Sequence, residues 1–163
     1  MLTPNYFPGA MSLTDLIAAP DALVLDLRVG SGEEAIRALH QRLRAATPDV
    51  KNPDQFLKDL LDRAALASVC IAEDVALPHA RTAAVSRIML AVARTAGPVA
   101  FDAEHPGVRL VFLVGTPKAA VGEYLQLVAA LSRLLRNTET RAELMAAPTE
   151  AEFRAVLARA QKR

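Results

Sequence analysis

The sequence predicts an α/β (α+β) chain, a single domain whose mixed central β-sheet is flanked by helices on both faces. Three observations predict it. Residues 86–95 (SRIMLAVART) and 107–117 (GVRLVFLVGTP) are apolar on both alternate sets of positions, as in strands covered on both faces. Several other segments carry apolar residues at helical spacing behind capping residues. The order of segments is strand, two helices, a block of strands, then helices, which lacks the strict alternation of an all-parallel sheet and so favours a mixed one. With 163 residues, 52% of them hydrophobic, the chain can bury one core without disulfide or metal staples.

The elements follow in order. Residues 1–10 carry no periodic apolar pattern and read as an irregular arm, with Met1 or Met11 as the start. Residues 22–27 (ALVLDL) read as a strand. The run SGEE then offers a capping box, Ser31 with Glu34, and a helix that places Ile36, Leu39, His40 and Leu43 on one face. After a break at residues 46–52, Asn52 caps a second helix, Pro53 suits its first position, and Gln55 completes the box. Phe56, Leu57, Leu60, Leu61 and Ala64 form its stripe, with Arg63 at the flank near the end. Residues 74–77 (DVAL) form a short strand that stops at Pro78. Residues 86–95 and 107–117 supply two more, and 99–101 (VAF) a further short one. From Lys118 the pattern is helical, with Val121, Tyr124, Leu125, Val128, Leu131 and Leu135 sharing one face. A short helix spans about residues 139–146. A last one, capped by Thr149 with Glu152 as its partner, buries Phe153, Val156, Leu157 and Ala160.

Composition excludes several functions. Net charge is +1, with 19 basic and 18 acidic residues, so no electrostatic footprint for nucleic acid stands out. No apolar run approaches the ~20 residues needed to cross a bilayer, and the N-terminus is a poor signal peptide. The single cysteine, Cys70, cannot form a disulfide within the chain, fits a reducing compartment, and reads as a small buried apolar residue. No glycine-rich phosphate loop or nucleophile elbow is present, so no cofactor is expected. The three histidines fit no metal-ligand spacing. His40 lies on an apolar helix face and reads as structural; His105 lies in a turn (AEHPG) and reads as solvated. His79 differs. It follows Pro78 at the end of a strand, where α/β sheets place their sites, although a strand-end histidine bonded to a neighbour has the same appearance.

Residues 60–81, LLDRAALASVCIAEDVALPHAR, resemble the active-site segment of enzyme IIA of the sugar phosphotransferase system, in its fructose/mannitol and nitrogen-regulatory class. The resemblance continues through IMLAVART, VRLVFLVGTP, YLQLVAALSRLLRN and APTEAEFRAVL, and so covers residues 12–158 of an enzyme IIA domain expected over 11–163. It implies that His79 is a phosphoryl acceptor, served by a histidine phosphocarrier protein. It implies that Arg63 is the arginine that binds phosphoryl oxygens. It further implies a cytoplasmic stand-alone domain whose other partners are a separate enzyme IIB or a regulated target protein. A lone domain most resembles the nitrogen-regulatory branch; an interaction module that lost efficient transfer, or a component of sugar uptake, are the alternatives. The sequence departs from the family at three places. Tyr124 stands where a second histidine is usual, and offers one neutral hydrogen bond. Ala64 replaces the usual glutamate. Glu73 or Asp74 fills a glycine position, adding negative charge near a site that must accept an anion.

Overall fold

A computed structural model describes residues 12–163; the predicted arm at 1–10 and the choice between Met1 and Met11 lie outside the described residues. The helices are α1 (Leu13–Leu16), α2 (Gly32–Ala46), α3 (Pro53–Leu66), α4 (Val121–Arg136), α5 (Thr138–Ala146) and α6 (Glu150–Gln161). The strands are β1 (Leu23–Leu27), β2 (Cys70–Ala72), β3 (Val75–Ala76), β4 (His79–Arg81), β5 (Met89–Val99) and β6 (Val108–Thr116). Strand order is β1-β5-β6-β3-β2, with β4 also on β6. β1 runs parallel to β5, β3 and β4 run parallel to β6, and β5–β6 and β2–β3 are antiparallel, so the sheet is mixed. Met89–Ala93 and Leu110–Thr116 are buried at every position. Consecutive burial means both faces are covered: α2 packs on α3, while α1, α4, α5 and α6 pack on one another.

Capping chemistry explains the helix starts. Ser31 Oγ accepts the Glu34 amide, but the Glu34 carboxylate reaches one residue further back, to the Gly30 N–H at 2.7 Å. Asn52 accepts the Gln55 amide. The second half of that box does not form, because the Asn52 N–H already donates to the Ala84 carbonyl at 3.1 Å, and the Gln55 amide turns to Asp59. Thr149 caps α6, and Phe153, Val156, Leu157 and Ala160 are all buried.

Four differences from the sequence reading matter. β5 runs on through Gly97 and Pro98 to Val99, with a register shift, where a separate short strand was expected. Pro98 is exposed, and its missing N–H falls in that irregular stretch. The DVAL strand reduces to Val75–Ala76, and the ladder does not end at Pro78. The Pro78 carbonyl accepts the Val114 N–H at 2.9 Å, so pairing to β6 resumes as β4. On α4 the buried residues are Leu127, Leu131, Leu134 and Leu135, while Val121 and Leu125 are 43% and 59% exposed. The first six residues of α4 therefore include no fully buried one, and the stripe seats only from Leu127 onward. Finally, Cys70 is half-buried in β2.

Two contacts fix the frame around β4. Gly115 faces Ala80 on β4 and Met89 on β5. A Cβ there would lie 2.6 Å from the Phe56 ring, so glycine lets α3 settle against the sheet beside β4. On the other side, Asp74 pairs with Arg141 of α5 at 2.9 Å, both side chains largely buried. The negative charge expected near the site is thus matched by a guanidinium on α5.

Candidate active site

β4 has β6 on one side only, and the open side leads into a cavity of about 590 Å³. Its walls come from α3 (Gln55, Asp59, Asp62, Arg63, Leu66), from β4 and the turn after it (His79 to Ala83), and from Lys118 and Tyr124 at the start of α4. Arg63, His79 and Tyr124, which are distant in sequence, line one cavity. His40 and His105 are not among its lining residues.

The His79 ring is oriented by its own strand. Nδ1 lies 2.8 Å from the Leu77 carbonyl oxygen. A carbonyl only accepts, so Nδ1 carries the proton and Nε2 keeps the lone pair. Pro78 shapes the backbone that brings the Leu77 carbonyl back onto the ring two residues on. Burial pushes the imidazole below its ordinary pKa; the Leu77 carbonyl opposes this, and the Arg63 charge adds to the lowering. The ring is therefore neutral at pH 7, with one nucleophilic nitrogen.

Arg63 occupies the last turn of α3 and donates to the Ala67 carbonyl at 3.1 Å, which holds its guanidinium at the helix C-terminus. The Tyr124 ring centroid lies 5.9 Å from that of His79. The Arg81 guanidinium sits 5.5 Å from the centroid of the same ring. The sequence reading gave Arg81 no role. Once β4 continues past Pro78, the two-residue strand period puts His79 and Arg81 on one side, and that period was the available signal. Lys118 and the acidic pair Asp59 and Asp62 were also passed over; Asp59, Asp62 and Arg63 share one helix face by their spacing of three and four.

Away from this cavity, Cys70, Asp102 and His105 bring one ligand atom each within 4.8 Å of one another, a grouping invisible in sequence spacing. Its carboxylate and one imidazole nitrogen are already engaged. Asp102 accepts from Ser68 at 2.7 Å and pairs with His105 Nδ1 at 2.7 Å. Burial pushes the Cys70 thiol up to about 11, so it stays protonated.

The chain belongs to the family described as Phosphoenolpyruvate-dependent sugar phosphotransferase system, EIIA 2, which it matches over residues 17–160. It is 38% identical over 150 residues, 90% of this chain, to the PTS system 2-O-alpha-mannosyl-D-glycerate-specific EIIABC component of Escherichia coli, and spans about a fifth (22%) of that protein's length. It is 31% identical to a nitrogen regulatory protein of Bradyrhizobium diazoefficiens, covering 91% of this chain and 95% of the relative. Among solved structures, the nitrogen regulatory protein IIA-Ntr from Neisseria meningitidis superposes with a TM-score of 0.76 at 29% identity, covering 84% of this chain and 93% of the other. Among the described residues, no helix is long and apolar enough to cross a membrane.

Proposed function

We propose that this chain is a phosphoryl carrier of the phosphotransferase system, accepting phosphate on His79 from a histidine phosphocarrier protein in the cytoplasm and acting mainly in regulation. The observation that carries the reading is the Nδ1–Leu77 carbonyl bond, which leaves His79 Nε2 as the only nucleophilic nitrogen beside Arg63. In the transfer, the Nε2 lone pair forms a P–N bond as the donor's P–N bond breaks, and the electron pair stays on the donor imidazole. His79 keeps its Nδ1 proton, so its ring becomes positive as the protonated donor ring becomes neutral. No proton has to move. The Leu77 carbonyl stabilises that positive ring, and the Arg63 guanidinium can hold two phosphoryl oxygens in line.

The surroundings suit a protein donor. Leu66, at the end of α3 and on the cavity wall, is 82% exposed, and Val121 and Leu125 expose apolar surface close to Tyr124 along α4. The likeness to nitrogen regulatory proteins over nearly their whole length supports the regulatory branch. The likeness to one part of a sugar-specific EIIABC component supports the alternative of serving a separate enzyme IIB in sugar uptake. The reading as an interaction module that lost efficient transfer rests on Tyr124 and Ala64; of the acidic residues at 73 and 74, Asp74 is matched by Arg141 and so weighs less for it. Incubation of the purified chain with phosphorylated carrier tests the proposal. Acid-labile phosphate on His79 is the expected result, and its absence favours the interaction module.

A further inference from the structure

We propose that Arg81 is a second phosphoryl-binding residue of this site, and that the aromatic ring of Tyr124 seats it. The inference rests on His79 being the acceptor. A phosphoryl group carries close to two negative charges at pH 7. Arg63 brings one positive charge, and part of its donor set is already spent on the Ala67 carbonyl. A second cation would balance the remaining charge, and besides Lys118 the cavity lining offers Arg81, from the acceptor's own strand.

Arg81 lies two residues beyond His79 on β4, so both side chains leave the strand on the same side, and both line the cavity. The guanidinium is exposed, so no burial cost stands against its charge, but an unheld arginine there would sweep a wide volume. Two contacts restrict it. Its centre lies 5.5 Å from the Tyr124 ring centroid, within range of a cation–π contact, and one nitrogen approaches the Lys118 carbonyl at 3.5 Å. The Tyr124 ring is itself 5.9 Å from the His79 ring, so one aromatic ring neighbours both the imidazole and the guanidinium. Arg81 forms no salt bridge among the described residues, whereas Asp62 is engaged by Lys58 and Asp59 by Gln55 within α3. Its remaining N–H donors are free for oxygen atoms of an anion. The proposal assigns the role of Tyr124 to the face of its ring rather than to its hydroxyl.

The test compares the full chain with Arg81→Gln, Arg81→Lys, Tyr124→Phe and Tyr124→Leu. Each protein is phosphorylated by the phosphorylated carrier and, separately, by phosphoramidate. The titration of the phosphoryl group on His79 is followed by phosphorus NMR. We expect Arg81→Gln to lose about tenfold or more in rate with both donors, the size of one charge-assisted hydrogen bond. Its phosphoryl titration should move to higher pH, because a lost cation favours the less charged form. Arg81→Lys should recover part of both effects. Tyr124→Phe, which keeps a ring face under the guanidinium, should lose clearly less than Tyr124→Leu, and Tyr124→Leu should resemble Arg81→Gln. Parent-like rates and titration in Arg81→Gln overturn the proposal. So does a loss seen only with the carrier, which would make Arg81 a docking residue, and so does an equal loss in Tyr124→Phe and Tyr124→Leu, which would assign the effect to the hydroxyl. If the parent takes no label on His79 from either donor, the acceptor reading itself fails, and this inference with it.

Discussion

His40 and His79 are built alike up to a point. Each ring places one nitrogen 2.8 Å from a backbone carbonyl oxygen, Pro53 for His40 and Leu77 for His79. Each is pushed below its ordinary pKa chiefly by burial, with the carbonyl opposing. The difference lies around the second nitrogen. His40 is 4% exposed on the inner face of α2, its ring 5.5 Å from that of Phe56, and it fills space between α2 and α3. His79 stands on a strand with an open side, half-buried in a cavity lined by two guanidinium groups and an ammonium group. A locked, neutral imidazole is thus not a site by itself. What sets the candidate site apart is the open side of β4 and the cations that the surrounding elements bring there.

The sharpest break of this comparison is to exchange the two roles. His79→Ala should abolish acid-labile phosphorylation by the carrier and leave the thermal midpoint within a few degrees, since the ring is half-exposed. His40→Ala and His105→Ala should still accept phosphate; label on the His79 variant would show that the acceptor was misassigned. Next in size is Arg63→Gln. It removes the guanidinium that shares the cavity with His79, and one charge-assisted hydrogen bond contributes roughly 1.5–3 kcal/mol. Stopped-flow transfer should slow roughly ten- to hundredfold at ~1.4 kcal/mol per tenfold. An unchanged rate would remove the electrostatic part of the mechanism.

His40→Ala probes the other side. It leaves a cavity against Phe56 and removes the ring's bond to the Pro53 carbonyl, and should cost about 2 kcal/mol in urea unfolding, with the transfer rate per folded molecule unchanged. The smallest effect is on pH. Both histidines have folded-state pKa values below the ordinary imidazole value of about 6.5. The unfolded chain therefore takes up protons first as pH falls. Stability should be level above that value and decline as pH drops through it, because the slope follows the excess of protons bound by the unfolded state. Urea midpoints from pH 8 to 5 should show this decline, and it should be shallower in His40→Ala. A parallel decline in both proteins would mean that His40 is not held neutral by its burial.

The local chemistry of many elements was legible in the sequence. Ser31, Asn52 and Thr149 mark helix starts because an oxygen side chain followed by a free amide is a short-range arrangement. The both-face burial of β5 and β6 was legible because continuous apolar runs have only one comfortable place in a sheet. Pro78 followed by His79 also stood out, and family resemblance joined it to Arg63 and Tyr124. Long-range arrangement decided the rest. Whether the ladder resumes after Pro78 depends on the Val114 amide of another strand, so β4, and Arg81 on it, could not be read from residues 73–81 alone. The α4 stripe had the right period, but where along the helix burial begins depends on the helix's seat in the fold, which leaves Val121 and Leu125 exposed. The charge of Asp74 looked misplaced until Arg141, which follows it by 67 positions, came to face it. Capping and periodicity act over one or two turns and are written in neighbouring residues. Strand pairing, helix seating and charge matching are settled between segments far apart in the chain, and only the folded arrangement contains them.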